Sequence, residues 1–100
     1  MAELASGEIK AFVPARDFEL SKRFYTDLGF TRASDNAGIA YFHHGNCSFL
    51  LQDFFLESHA SNFMMHLLVE NVDQWYEQLR EKRLADEYRV RLGVPEAQPW

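Results

Sequence analysis

One hundred residues suffice for a single domain with one core, which would bury roughly 65% of the surface that the unfolded chain exposes. With 47% hydrophobic and 15% aromatic residues, the chain is too apolar to remain disordered. A formal charge of −5 with only ten Lys plus Arg removes the general attraction for a phosphate backbone, so nucleic acid is not an expected partner. No apolar run approaches the roughly 20 residues that span a bilayer, and the acidic start from Met1 to Glu8 lacks the basic flank of a signal peptide. A cytoplasmic protein without a membrane partner is therefore expected.

In chain order, Glu8 to Pro14 alternates, with Ile9, Ala11 and Val13 on one side and Lys10 and Phe12 on the other, which predicts a first strand. Asp17 is placed to cap a helix, Glu19 puts negative charge in its first turn, and Phe18, Ser21, Tyr25 and Leu28 form one helical stripe flanked by Phe24. Gly29 is a natural stop. Three short strands are predicted next, Phe30 to Ala33, Gly38 to His43 and Cys47 to Phe54, with Ser34-Asp35-Asn36 and His44-Gly45-Asn46 as the turns. Cys47 has no partner for a disulfide, and a lone thiol in an apolar strand is expected to fill core space.

The polar loop Glu57 to Asn62 precedes an apolar run, Phe63 to Val69, short enough for another strand. Asn71 is positioned to cap a second helix, Gln74 sits at the reciprocal capping-box position, and Val72, Trp75, Tyr76 and Leu79 follow at helical spacing. The basic stretch Arg80 to Arg83 lies among Glu77, Glu81 and Asp86 and is expected to be a solvated face. A strand over Glu87 to Leu92 and a loop from Val94 to Trp100 complete the pattern. Shifting the sequence by 54 positions lays Asp17 on Asn71, Phe18 on Val72, Tyr25 on Leu79 and Ile9 on Phe63. This suggests a repeated unit in which the second copy reaches only its third element.

Val13-Pro14-Ala15-Arg16-Asp17, followed by Ser21 and by Phe24-Tyr25-x-Asp27-Leu28-Gly29-Phe30, resembles the opening strand and helix of the vicinal oxygen chelate superfamily, which groups glyoxalases, bleomycin resistance proteins and dioxygenases. Phe49 to Phe54 resembles the fourth strand of bleomycin-resistance-like members, Val69 to Asp73 with Trp75 their second strand-to-helix turn, and Pro99-Trp100 the opening of their closing hairpin. The resemblance implies an α+β fold of paired βαβββ modules. Residues 1–100 would form one domain, with 8–54 as the first module and 62–100 as a partial second one. The last two expected strands are missing, through truncation or because a partner chain completes the sheet, so a homodimer is expected.

Metal-dependent relatives hold their ion with residues of the first and fourth strands. Carried over, those positions are Lys10, its repeat mate Met64, and Leu50, none of which suits a catalytic divalent cation. No metal site and no cofactor are expected. By alternation, the cavity side carries Lys10, Phe12, Ser48, Leu50, Gln52, Phe54, Met64, His66 and Leu68, while Ile9, Ala11, Val13, Cys47, Phe49, Leu51, Met65, Leu67 and Val69 face the helices. The first set is an apolar bowl with polar handles, the usual composition of a small-molecule pocket, with Trp100 at its rim. The same set would equally fill an interior or a dimer seam. His66 and Gln52 are ligand-anchoring candidates, although a satisfied core-edge histidine is the more ordinary role. Of His43 and His44, at most one faces the cavity, and His59 belongs to a loop.

Three readings follow. The first is a metal-free binding protein that sequesters an apolar or aromatic compound, with cationic compounds favoured by the acidic surface. The second is a metal-dependent lyase, isomerase or dioxygenase recruiting His66 and Gln52. The third is an assembly module without a ligand. No residue is singled out as catalytic.

Overall fold

In a computed structural model, residues 4–60 and 63–97 are described. The elements in chain order are β1 (Phe12–Pro14), α1 (Phe18–Leu28), β2 (Thr31–Asn36), β3 (Ile39–His44), β4 (Cys47–Gln52), α2 (Glu57–Ala60), α3 (Val72–Glu81) and α4 (Leu84–Tyr88). The fold is mixed α+β, and its first five elements make a βαβββ unit.

The four strands form one sheet in the order β1-β4-β3-β2. β2, β3 and β4 are an antiparallel meander, and β1 joins β4 in parallel. A parallel neighbour needs a crossover, and α1 supplies it. The β2–β3 turn falls at Ala37-Gly38, not at the expected Ser34–Asn36, which belong to β2. Ala37 and Gly38 both have positive φ, 55° and 76°, as the tightest hairpin turn demands. Beyond a bulge between Arg32 and Ser34, the residues expected to turn pair with Tyr41, Ala40 and Ile39 of β3. Every residue of β2 is exposed, and its Arg32 and Asp35 put charge on a sheet edge that would otherwise invite further pairing.

α1 begins where the sequence indicates. Asp17 is extended (φ −119°, ψ 96°), and its carboxylate accepts the Leu20 backbone N–H at 3.1 Å. Gly29 ends the helix at φ 125°, a conformation costly for any residue with a Cβ. One face of the sheet packs under this helix. Val13, Ala40 and Leu51 occupy one register line and Phe42 and Phe49 the next. Together with Ala15 and Phe30 they form the buried core, against which Phe18, Tyr25, Leu28 and Leu67 pack. Tyr25 sits edge-on to Phe49 with ring centroids 4.8 Å apart, and Phe42 and Phe49 stack at 5.6 Å; such pairs add stabilisation beyond area burial. Burial in this aromatic cluster pushes the Tyr25 phenol above its ordinary pKa. Lys22, the buried charged residue of the described chain, ties α1 to β2 by a salt bridge to Asp35 (2.6 Å) and also pairs within α1 with Glu19 (2.8 Å).

The second half departs from expectation. Phe63–Val69, the apolar run expected to be a strand, carries no strand. Met64 is 88% and Leu68 84% exposed, because no sheet edge lies alongside to accept the segment's backbone groups. The strand expected over Glu87–Leu92 is likewise replaced. Leu84–Tyr88 is a short helix instead, entered through Arg83 and left through Arg89, both left-handed. Part of the loop Glu57–Asn62 is helical as α2. α3, by contrast, starts as expected, with the Asn71 side chain accepting the Gln74 N–H at 3.0 Å. This half is anchored on the outer side of α1. The Tyr88 hydroxyl donates to the Asp27 carboxylate, the Lys82 ammonium donates to the Asp27 carbonyl at 3.0 Å, and the Phe24 and Tyr88 rings meet edge-on at 5.2 Å. The Cα radius of gyration, 15.4 Å, exceeds the roughly 13 Å of a compact chain of this length, as an exposed apolar segment implies.

Four residues expected in the core lie outside it, and Ala11, exposed just before the first strand residue Phe12, is one of them. Ile9 is 97% exposed because the first strand starts at Phe12 and not at Glu8. Met65 shares the fate of its unpaired segment. Cys47 is exposed at the start of β4, beyond the cover of α1.

Candidate functional site

Among the described residues, the face of the sheet away from α1 is left partly open. Residues opposite one another in register share a face, so Phe12, Leu50 and Tyr41 form one row, Ser48 and His43 a second, and Pro14, Gln52 and Ile39 a third. All except the exposed Phe12 are partly buried. The rows run from an apolar end at Phe12 and Leu50 to a polar end beside the β3–β4 turn. At the polar end, a cleft of about 390 Å³ is lined by Glu8, Tyr41, His43 and Ser48, with Ala33 and the turn residues.

The extended segment before β1 crosses this polar end. Glu8 and Lys10, two positions apart, both reach down onto the sheet. The Glu8 carboxylate accepts the Ser48 hydroxyl at 2.7 Å and the Tyr41 hydroxyl at 3.3 Å, and it pairs with the Lys10 ammonium. That ammonium stands 5.0 Å from the centroid of the Tyr41 ring, within cation–π range. The Lys10 contact and the Ser48 hydroxyl hold the Glu8 carboxyl below its ordinary pKa, so it is an anion at neutral pH. The rings of Tyr41 and His43 are 6.0 Å apart. His44 points to the other side, where it meets Trp75 edge-on at 5.1 Å.

Of the residues picked out from sequence, Lys10, Phe12, Leu50 and Gln52 come together on this face. Phe54 lies past the end of β4 and is half exposed. Met64 and His66 belong to the exposed segment that forms no strand, and Trp100 lies outside the described residues. Glu8 and Tyr41 were not singled out from the sequence. Their signal was available, since the alternation that places Lys10 and Phe12 on one side reaches Glu8 two residues earlier. Tyr41 follows from the β3–β4 register, which sequence does not fix.

These side chains do not fit a divalent cation. Leu50 offers no donor atom, the Lys10 ammonium is already a cation, and among the described residues no group of three His, Cys, Asp or Glu stands close enough to share an ion. A larger cleft, about 550 Å³, lies between α1, β2 and α4 and is lined by Lys22, Arg23, Arg32, Asp27 and Tyr88 among others. Several of its charged groups are already engaged: Lys22 and Arg32 with Asp35, and Asp27 with Tyr88. No helix among the described residues is long and apolar enough to cross a membrane.

A model of the Glyoxalase/Bleomycin resistance protein/Dioxygenase superfamily matches residues 9–92. The chain belongs to this superfamily. Among solved structures, the chain is similar to a bleomycin resistance determinant encoded on the transposon Tn5 and to a bleomycin-binding protein complexed with bleomycin. In each case the identity is 22%, the TM-score is 0.65, and 95% of this chain and 72% of the other are covered. A hypothetical protein from S. aureus aligns with a TM-score of 0.57 at 20% identity, over 78% of this chain and 70% of that one. At these identities the likeness concerns the fold. No curated protein gives a significant match. Of the three positions that the sequence resemblance sets for the ion of metal-dependent members, Lys10 and Leu50 lie on this sheet face, and Met64 is exposed in the segment that forms no strand.

Proposed function

We propose that the protein is a metal-free small-molecule binder that holds an apolar or aromatic compound, with a preference for cationic ones, against the partly open face of its sheet. The observation that carries this reading is the composition of that face. An apolar floor of Phe12 and Leu50 grades into a polar end where a fixed carboxylate, two hydroxyls and two rings converge, which is how pockets combine affinity with orientation. A bleomycin-binding protein of the same fold, solved with bleomycin, supports the class of function. The module boundaries at 8–54 and 62–100 belong to this proposal, as does a homodimer in which a second copy covers the open face and pairs with residues 63–69.

Thermal-shift screening with planar aromatic compounds, alongside elemental analysis of the purified protein, tests the reading. Binding raises the melting temperature by mass action. Leu50→Asp, which puts charge on the apolar floor, is expected to erase that rise. A stoichiometric transition metal in the purified protein, lost together with binding on chelation, would overturn the metal-free reading in favour of an enzyme. A monomeric mass by light scattering at micromolar concentration would overturn the dimer.

A further inference from the structure

We infer that Lys10 is a built-in occupant of an ammonium subsite made by Glu8 and the face of Tyr41, and that ligands carrying a primary amine enter by displacing it. The inference rests on the binding reading above and names the chemistry that the polar end of the site selects.

Three observations converge on it. The Lys10 ammonium has the two partners that recognise an organic cation, a carboxylate and an aromatic face. Both oxygens of that carboxylate are also held from the sheet, one by the Ser48 hydroxyl and one by the Tyr41 hydroxyl, so the anion stays in place when the lysine leaves. The occupied point also borders the cleft of about 390 Å³, which has room for the body of a guest whose amine takes the place of the lysine. Lys10 precedes the first strand residue, Phe12, and its ammonium sits at the end of a four-carbon stem with many alternative rotamers. Release therefore requires no rearrangement of the sheet. An anionic or neutral guest gains nothing from the exchange, because it leaves Glu8 facing it without a counter-ion.

The test compares 2-naphthylmethylamine with its neutral analogue 2-naphthylmethanol, titrated by fluorescence against the full chain. The readout is the ratio of their affinities, so that general loss of binding cancels. The wild type is expected to favour the amine. Lys10→Met is expected to raise the amine-to-alcohol ratio by roughly fivefold, the scale of an exposed cation–π and ion-pair contact, and Glu8→Gln is expected to bring the ratio close to one. Lys10→Gln, which keeps a polar stem, repeats the first measurement should Lys10→Met lose its folded circular dichroism. If the alcohol binds but the ratio is unchanged or lower in the Lys10 variants, the subsite is overturned while small-molecule binding stands. If neither compound binds any variant, both readings fall.

Discussion

The stretch from Phe12 to Gln52 and the stretch from Phe63 to Ala97 start from the same pattern and end differently. Their helices open almost identically. Asp17 and Asn71, 54 positions apart, are both extended, at φ −119° and −137° with ψ 96° in each, and each side chain accepts the N–H three residues on. The strands before them do not correspond. Phe12–Pro14 pairs with β4, whereas Phe63–Val69 pairs with no strand among the described residues and exposes Met64 and Leu68. After the helices the contrast grows: Gly29 leads into a three-stranded meander, while Arg83 leads into α4. A helix satisfies its own backbone and needs only its cap and one apolar face. A strand borrows its hydrogen bonds from a neighbour, and alternation cannot create one.

The largest test of this contrast is side-chain truncation. Phe42→Ala, at a fully buried position, is expected to cost about 3–5 kcal/mol in chemical denaturation, whereas Leu68→Ala should fall within about 0.5 kcal/mol of wild type. A large effect at Leu68 would mean that the segment is covered in solution, as a second copy would cover it. Next in size, removal of the caps compares the two helices directly. Asp17→Ala is expected to lower stability by about 1 kcal/mol, because α1 roofs the core. Asn71→Ala should cost less than half as much in global unfolding, while circular dichroism records the loss of helix.

The smallest effect concerns the seam between the halves. The hydrogen bond to Asp27 pushes the Tyr88 phenol up to about 12, from an ordinary value near 10. Since the folded value is the higher one, the contribution of this contact is complete below pH 10 and disappears as pH rises through 12. Tyrosine ionisation followed by ultraviolet absorbance should show Tyr25 and Tyr88 titrating late, and Asp27→Asn should return the latest step toward the ordinary range while leaving the Tyr25 step in place. A wild-type titration that Asp27→Asn leaves unchanged would mean that α4 is not held on α1 through Tyr88.

What could be read in advance follows the same division. Asp17, Gly29 and Asn71 act within a few residues of themselves, and each does what its side chain suggests. The helix-facing set was legible at Val13, Phe49 and Leu51 because those positions lie inside paired strands, and it failed at Ile9, Ala11, Cys47 and Met65, where pairing stops or α1 no longer covers the sheet. Of the site, Phe12, Leu50 and Gln52 followed from alternation alone. Glu8 was within reach by the same count but falls outside any strand. Tyr41 depended on the register between β3 and β4, and His66 on a strand that no neighbour supports.

The parallel seam between β1 and β4 also bears on assembly order. The meander joins strands that are neighbours along the chain, whereas Phe12 finds Leu50 only after closure of a loop of roughly forty residues, an entropic cost that delays such contacts. The seam is therefore expected to zip last, after the meander has collapsed, and pulse-labelling of amides during refolding would show β3 and β4 protected before Val13. Glu8 and Lys10 ride on that final strand, so the polar end of the bowl comes into being only as the last step of folding closes.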